Sequence, residues 1–146
     1  MNSSRDNNII IREKLFARAA ADRYKKSNFN DDFVRGMYCT SAINCRTYGC
    51  VLCVFLDNNG SFKNEVMLNR DYAKLHEHIY SKVISYADKF ASNKLFIGRM
   101  ISSDDDTEYI VAGSILIFDA LQKHGIELIG YYITNGTSYE NILPER

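Results

Sequence analysis

The side chains able to do metal, redox or acid–base chemistry fall in a few short stretches. The histidines are His76, His78 and His124. His76-Glu77-His78 is the one His-x-His in the chain, but it sits within a long helical pattern, where residues two apart project about 160° away from each other. Both rings cannot then reach one ion, and an exposed helix surface is the expected reading. The cysteines are Cys39, Cys45, Cys50 and Cys53. Cys50 and Cys53 lie inside an apolar strand pattern, three apart and so on opposite faces. Redox and zinc Cys-x-x-Cys motifs sit on turns or helix starts, so buried free thiols are expected. The run Asp104-Asp105-Asp106 lacks the alternating ligands and glycine of a calcium loop. It suits the start of a helix, where orphan N–H groups attract carboxylates.

The chain contains no phosphate-binding glycine loop, nucleophile elbow or dinucleotide fingerprint. Gly98 and Gly130 are isolated within strand patterns and mark bulges or close packing. The 146 residues carry 18 basic and 18 acidic side chains, 46% apolar residues and one proline. This composition excludes intrinsic disorder and fits a single globular domain. The longest apolar run, Cys50–Leu56, is far short of the roughly 20 residues that span a bilayer, and the N-terminus is polar. The expectation is a cytoplasmic protein without membrane contact. The charge is uneven: seven basic against three acidic residues over 1–30, and two against eight over 101–146. Without net positive charge, nucleic-acid binding requires the basic residues to cluster in space.

These residues need a frame. Ile11, Leu15, Phe16, Ala19, Ala20 and Tyr24 recur at helical spacing over about Ile9–Lys26, making a basic amphipathic helix. A shorter helix starts near Asn30, with Asp31 and Asp32 ahead of Phe33, Val34 and Met37. The run Cys50–Leu56 reads as a strand buried on both faces, Asp57-Asn58-Asn59-Gly60 as a hairpin turn, and Phe62–Leu68 as the return strand. A long helix over about Arg70–Ala91 places Leu75, Ile79, Val83, Ala87 and Phe90 on one face. A strand at Leu95–Ile101 precedes a helix over about Thr107–Lys123, closed by Gly125 in the left-handed position. Strand, turn and strand complete the chain from Ile126 to Ile142. Adjacent Tyr131 and Tyr132 must face opposite sides, leaving one exposed as an interface residue. The order implies an α/β (α+β) domain with helices against one mixed, curved sheet.

From about Arg46 to Ile142 this sequence resembles the RadC-like branch of the JAB/MPN fold. The resemblance is carried by the Asp-Asn-Asn-Gly turn, Glu65-Val66 on the second strand, the strand Leu95–Ile101, and Gly125-Ile126-Glu127-Leu128-Ile129 with the closing tyrosine strand. It implies an N-terminal helical extension over 1–45 and a RadC/JAB-like domain over 46–146, folded as one compact unit. Active members of the family hold zinc through a His-x-His-Pro-x-Gly segment and a later Asp, with a strand Glu as base for the metal-bound water. Here the segment is Gly98-Arg99-Met100-Ile101-Ser102-Ser103, and Ile110 falls at or near the Asp position. Glu65 matches the base, and Thr107 a nearby hydroxyl. A carboxylate with no metal-bound water to deprotonate cannot carry the reaction. Glu65, Arg99 and Thr107 are thus candidates for a degenerate pocket in which Arg99 pairs with Glu65 or binds an anion.

The resulting expectation is a non-catalytic pseudoenzyme that acts as a protein–protein interaction module, without cofactor or metal, its partner a protein of unstated identity or a second copy of the chain. Two alternatives stay open: a divergent zinc metallopeptidase or isopeptidase of the JAB type, and a DNA-repair-associated nucleic-acid accessory protein. The N-terminal helix, outside the resemblance, can cover the sheet with Ile11, Leu15 and Phe16, face a partner, or contact nucleic acid through Arg12, Lys14, Arg18 and Lys25.

Overall fold

The computed structural model describes residues 15–43, 50–70 and 72–143. Ile11, Arg12, Lys14, Cys45 and Arg46 lie outside these residues. Helix α1 covers residues 15–25. It is followed by α2 (Asp32–Ile43), β1 (Val51–Leu56), β2 (Phe62–Leu68), α3 (His76–Phe90), β3 (Lys94–Met100), α4 (Thr107–Lys123), β4 (Glu127–Thr134) and β5 (Tyr139–Asn141). The five strands form one sheet in the order β2-β1-β3-β4-β5. Only the β3–β4 pair is parallel, so the sheet is mixed and the fold is of the α+β class. Among the described residues no helix is long and apolar enough to cross a membrane.

Apolar residues alternate along the strands and build two cores. Val51, Cys53, Phe55, Leu95, Ile97, Tyr131 and Ile133 meet Ile79, Val83, Ala87, Ile110, Ile117 and Leu121 of α3 and α4. On the other face Leu52, Val54, Leu56, Phe96 and Tyr132 meet Tyr38, Cys39 and Ile43 of α2, with Ala21 of α1. Every residue of β1 is buried, as a strand covered on both faces must be. Cys50 and Cys53 fall in different cores and both are buried, and Cys53 and Cys39 are free thiols. Burial pushes the Cys53 thiol up to about 12.

Several local expectations are met. Gly60, Gly125 and Gly136 take positive φ in the β1–β2 turn, after α4 and in the β4–β5 turn. Asp106 caps α4 by accepting from the Tyr109 N–H at 3.2 Å, and Asp105 accepts from the Ser102 N–H at 2.7 Å. At Gly130 the β4 strand carries one extra residue against β3, since Leu95 pairs with Leu128 and Ile97 with Tyr131. This bulge turns Leu128 and Tyr131, three apart, toward the same core.

Others are corrected. The α1 face expected to cover the sheet points outward, with Leu15 59% and Phe16 69% exposed, because α1 buries the row of Ala17 and Ala21 instead. Phe33 is also exposed; α2 buries the side that carries Arg35, Tyr38, Cys39 and Ile43. Helix α3 starts at His76 rather than near Arg70, because residues 72–74 form a 3-10 turn and Leu75 is extended. The core face therefore begins with His76, one turn before Ile79, and Leu75 is left exposed. Tyr131 and Tyr132 face opposite sides, yet neither is exposed, since helices cover both faces.

Candidate functional site

The three residues expected to share a pocket lie in three places. In an antiparallel pair, directly opposed residues share a face. Glu65 is opposite Val54 and Arg99 is opposite Val51, and residues three apart on β1 face opposite sides. Glu65 and Arg99 therefore cannot pair, because the sheet separates them. Thr107 is exposed at the first position of α4, in a shallow groove with Ile101, Ser102, Ser103, Asp105 and Asn135.

On the α1/α2 side, the Lys25 ammonium lies 2.9 Å from the Glu65 carboxylate, which also accepts from the Tyr38 hydroxyl. Lys25 in addition covers the Phe62 ring at 4.9 Å. Burial, together with the Glu65 hydrogen bond, holds the Tyr38 hydroxyl far above its ordinary range. Glu65 thus ties α1 and α2 to β2, and its carboxylate is engaged rather than poised as a base. Lys25, one of the basic residues considered for nucleic acid, is committed to the same contact.

The α3/α4 side holds a different kind of cluster. Arg99 is buried on β3, with its Nη1 3.5 Å from the Ala73 carbonyl of the 3-10 turn. The Tyr131 hydroxyl, brought to this side by the bulge at Gly130, lies beside the guanidinium. Burial raises the Tyr131 hydroxyl pKa, and Arg99 opposes that rise. His76, expected on an exposed helix surface, is instead buried at the start of α3, its ring 4.3 Å from the Tyr109 ring. Burial lowers the His76 pKa, the Tyr109 carbonyl works against that shift, and the Arg99 charge adds to it. His78 points to solvent, as two residues apart on a helix requires.

Four buried polar atoms in this cluster have no hydrogen-bond partner: His76 Nδ1 and Nε2, Arg99 Nε and Tyr131 Oη. Buried polar groups are nearly always satisfied, so four orphans in one place mark it as unusual. Sequence reasoning found Arg99 but missed His76 and Tyr131. Gly130 was the available signal for Tyr131, since a lone glycine in a strand marks the bulge that changes its facing.

In the segment expected to correspond to a RadC-like zinc site, Gly98-Arg99-Met100-Ile101-Ser102-Ser103, Gly98 and Met100 stand in place of the two histidines, and Ile110 stands at or near the expected Asp position. With no imidazole in the segment, an alkyl side chain at Ile110 and the fixed cation of Arg99 between, these residues do not fit a zinc ion. Among the described residues no three His, Cys, Asp or Glu side chains gather closely enough to hold a metal. The outer edge of the cluster opens on a groove of about 450 Å³ between α3 and α4, with His76, Leu75, Tyr80, Ile84, Tyr109 and Leu116 in its wall. Three of these apolar side chains, Leu75, Tyr109 and Leu116, are 45–57% exposed. No family model and no curated protein matches this chain.

Proposed function

We propose that the chain is a non-catalytic, RadC/JAB-like domain that works by protein–protein contact through the α3/α4 groove. The observation that carries this reading is the gathering of Leu75, Tyr109 and Leu116 at one groove, large apolar side chains that the described residues leave 45–57% exposed. Apolar side chains that cluster in this way, rimmed by Glu77, Asp119, Lys123 and His124, are a signature of an interaction site. A segment Gly98–Ser103 without histidine, and Ile110 at or near the expected Asp position, support the loss of the family's hydrolytic chemistry. The simplest occupant is a second copy of the chain, because Glu108 and Lys123 place opposite charges at the two ends of α4, as an antiparallel pair of copies requires.

A photo-crosslinking residue placed at Leu116, with Lys89 on the far end of α3 as control, tests the reading in whole cells. Crosslinks to protein from position 116 and not from 89 are the expected result. Equal or absent crosslinking at both would refute it. Stoichiometric zinc lost together with a peptidase activity on chelation would favour the divergent-enzyme alternative.

A further inference from the structure

The chain buries two arginines in its described residues, and they are treated differently. Arg35 on α2 donates to the Tyr132 hydroxyl at 2.7 Å and the Phe29 carbonyl at 2.8 Å, and lies 3.6 Å from the Asp32 carboxylate. Its charge is compensated. Arg99 is buried to a similar degree, but among the described residues it forms no ion pair and meets neutral oxygens, the Ala73 carbonyl at 3.5 Å and the Tyr131 hydroxyl beside it. An arginine cannot shed its proton to escape burial, and an uncompensated buried charge is strongly destabilising.

The groups around Arg99 add donors rather than acceptors. The orphaned Arg99 Nε carries a hydrogen, the Tyr131 hydroxyl can donate, and a neutral His76 carries one N–H. The Tyr109 carbonyl meets neither ring nitrogen of His76 in hydrogen-bond geometry. A guanidinium fork, a hydroxyl and an imidazole N–H gathered on the α3/α4 side of the sheet are the complement of an oxygen-bearing anion. His76 is also the member of the cluster that lines the α3/α4 groove, so it stands between the interior and solvent.

We propose that Arg99, Tyr131 and His76 form an internal receptor for a small oxyanion, a phosphate or a carboxylate, reached from the α3/α4 groove past His76. Arg99 supplies the charge and the fork, Tyr131 a second donor from the neighbouring strand, and His76 the outer contact. The receptor does not depend on what docks in the groove.

Inorganic phosphate and, separately, acetate are titrated into the full chain at constant ionic strength, with chloride as the balancing anion, and binding is read by calorimetry and by Tm. A ligand that binds only the folded state raises Tm with its concentration. Saturable binding of phosphate, acetate or both is expected in the wild type, the stronger of the two naming the source. Arg99→Met keeps the length of the side chain and removes the charge; it is expected to fold and to bind at least tenfold more weakly. Tyr131→Phe, which removes only the hydroxyl, is expected to weaken binding severalfold and carries the test if Arg99→Met does not fold. Equal responses to phosphate, acetate and chloride overturn the proposal, as does undiminished binding in both variants. Asp71, outside the described residues, carries the carboxylate nearest in sequence to Ala73, and binding that appears only in Asp71→Asn also overturns the proposal, because a carboxylate of the chain itself would then fill the receptor.

Discussion

His76 is the residue whose protonation state the fold controls most directly. Burial disfavours its charged form and Arg99 adds a like charge, so its pKa is lowered below the usual 6.5 even though the Tyr109 carbonyl pulls the other way. Below pH 6.5 the unfolded chain takes up a proton that the folded chain resists. Stability associated with His76 is therefore full above 6.5 and is lost as pH falls through the lowered value. The charged and titratable groups that face it are Arg99 from β3, Glu77 from α3 itself and Tyr109 from α4. Urea midpoints at pH 7.5 and 5.5 are expected to fall more for the wild type than for His76→Phe, which keeps a ring and removes the titration. Equal falls would show that His76 does not carry the effect. At this scale the sequence was a partial guide. Arg99 stood out because of where the resemblance placed it, whereas His76 looked like surface, because the break at Leu75 that turns it inward leaves no mark in the apolar periodicity.

The pairing of α3 with α4 depends on a glycine. A Cβ built at Gly113 would overlap the His76 ring, so the first turn of α3 rests on the backbone of α4 at that point. Gly113→Ala is expected to cost about 1–3 kcal/mol through overpacking, despite the roughly 1 kcal/mol that alanine gains over glycine inside a helix. In a His76→Ala background the ring is gone, and the same substitution is expected to be neutral or stabilising. The double-mutant cycle measures that difference as coupling, and additive costs would mean the contact is not what fixes the helix spacing. Elements were the most legible level of this molecule. The strand Phe62–Leu68 and the helix Thr107–Lys123 end where the turn and capping residues say they should, because local chemistry sets those ends. The facing of α1 and α2 was not legible. Leu15, Phe16 and Phe33 satisfy the apolar pattern, but tertiary fit chose the smaller Ala17 and Ala21 and the networked side of α2. There, Arg35 and the Asp32 carboxylate join the Tyr132 hydroxyl and the Asn141 amide.

Across the described residues, helices cover both faces of β1, β3 and β4, and the large apolar side chains left exposed lie on or beside helices. Along α4, Glu108, Ala112, Leu116, Asp119 and Lys123 fall on one stripe at helical spacing. Its N-terminal end is acidic and its C-terminal end basic, with Ala112 and the 57% exposed Leu116 between. A second copy laid antiparallel about Leu116 sets Glu108 of one chain against Lys123 of the other, twice by symmetry, while the small Ala112 allows close approach. A parallel arrangement would oppose like charges, so the order of charges selects one geometry and makes the contact isologous. Rim charges act on specificity more than on affinity, so the useful measurement is a charge swap. Glu108→Lys and Lys123→Glu are each expected to weaken self-association about tenfold by analytical ultracentrifugation at low salt. The double swap is expected to restore most of it, since it rebuilds both pairs with their signs exchanged. Single swaps that leave the association unchanged, or a double swap no better than either, would place the contact elsewhere on the surface. A chain that stays monomeric at every concentration would assign the α3/α4 groove to a different protein.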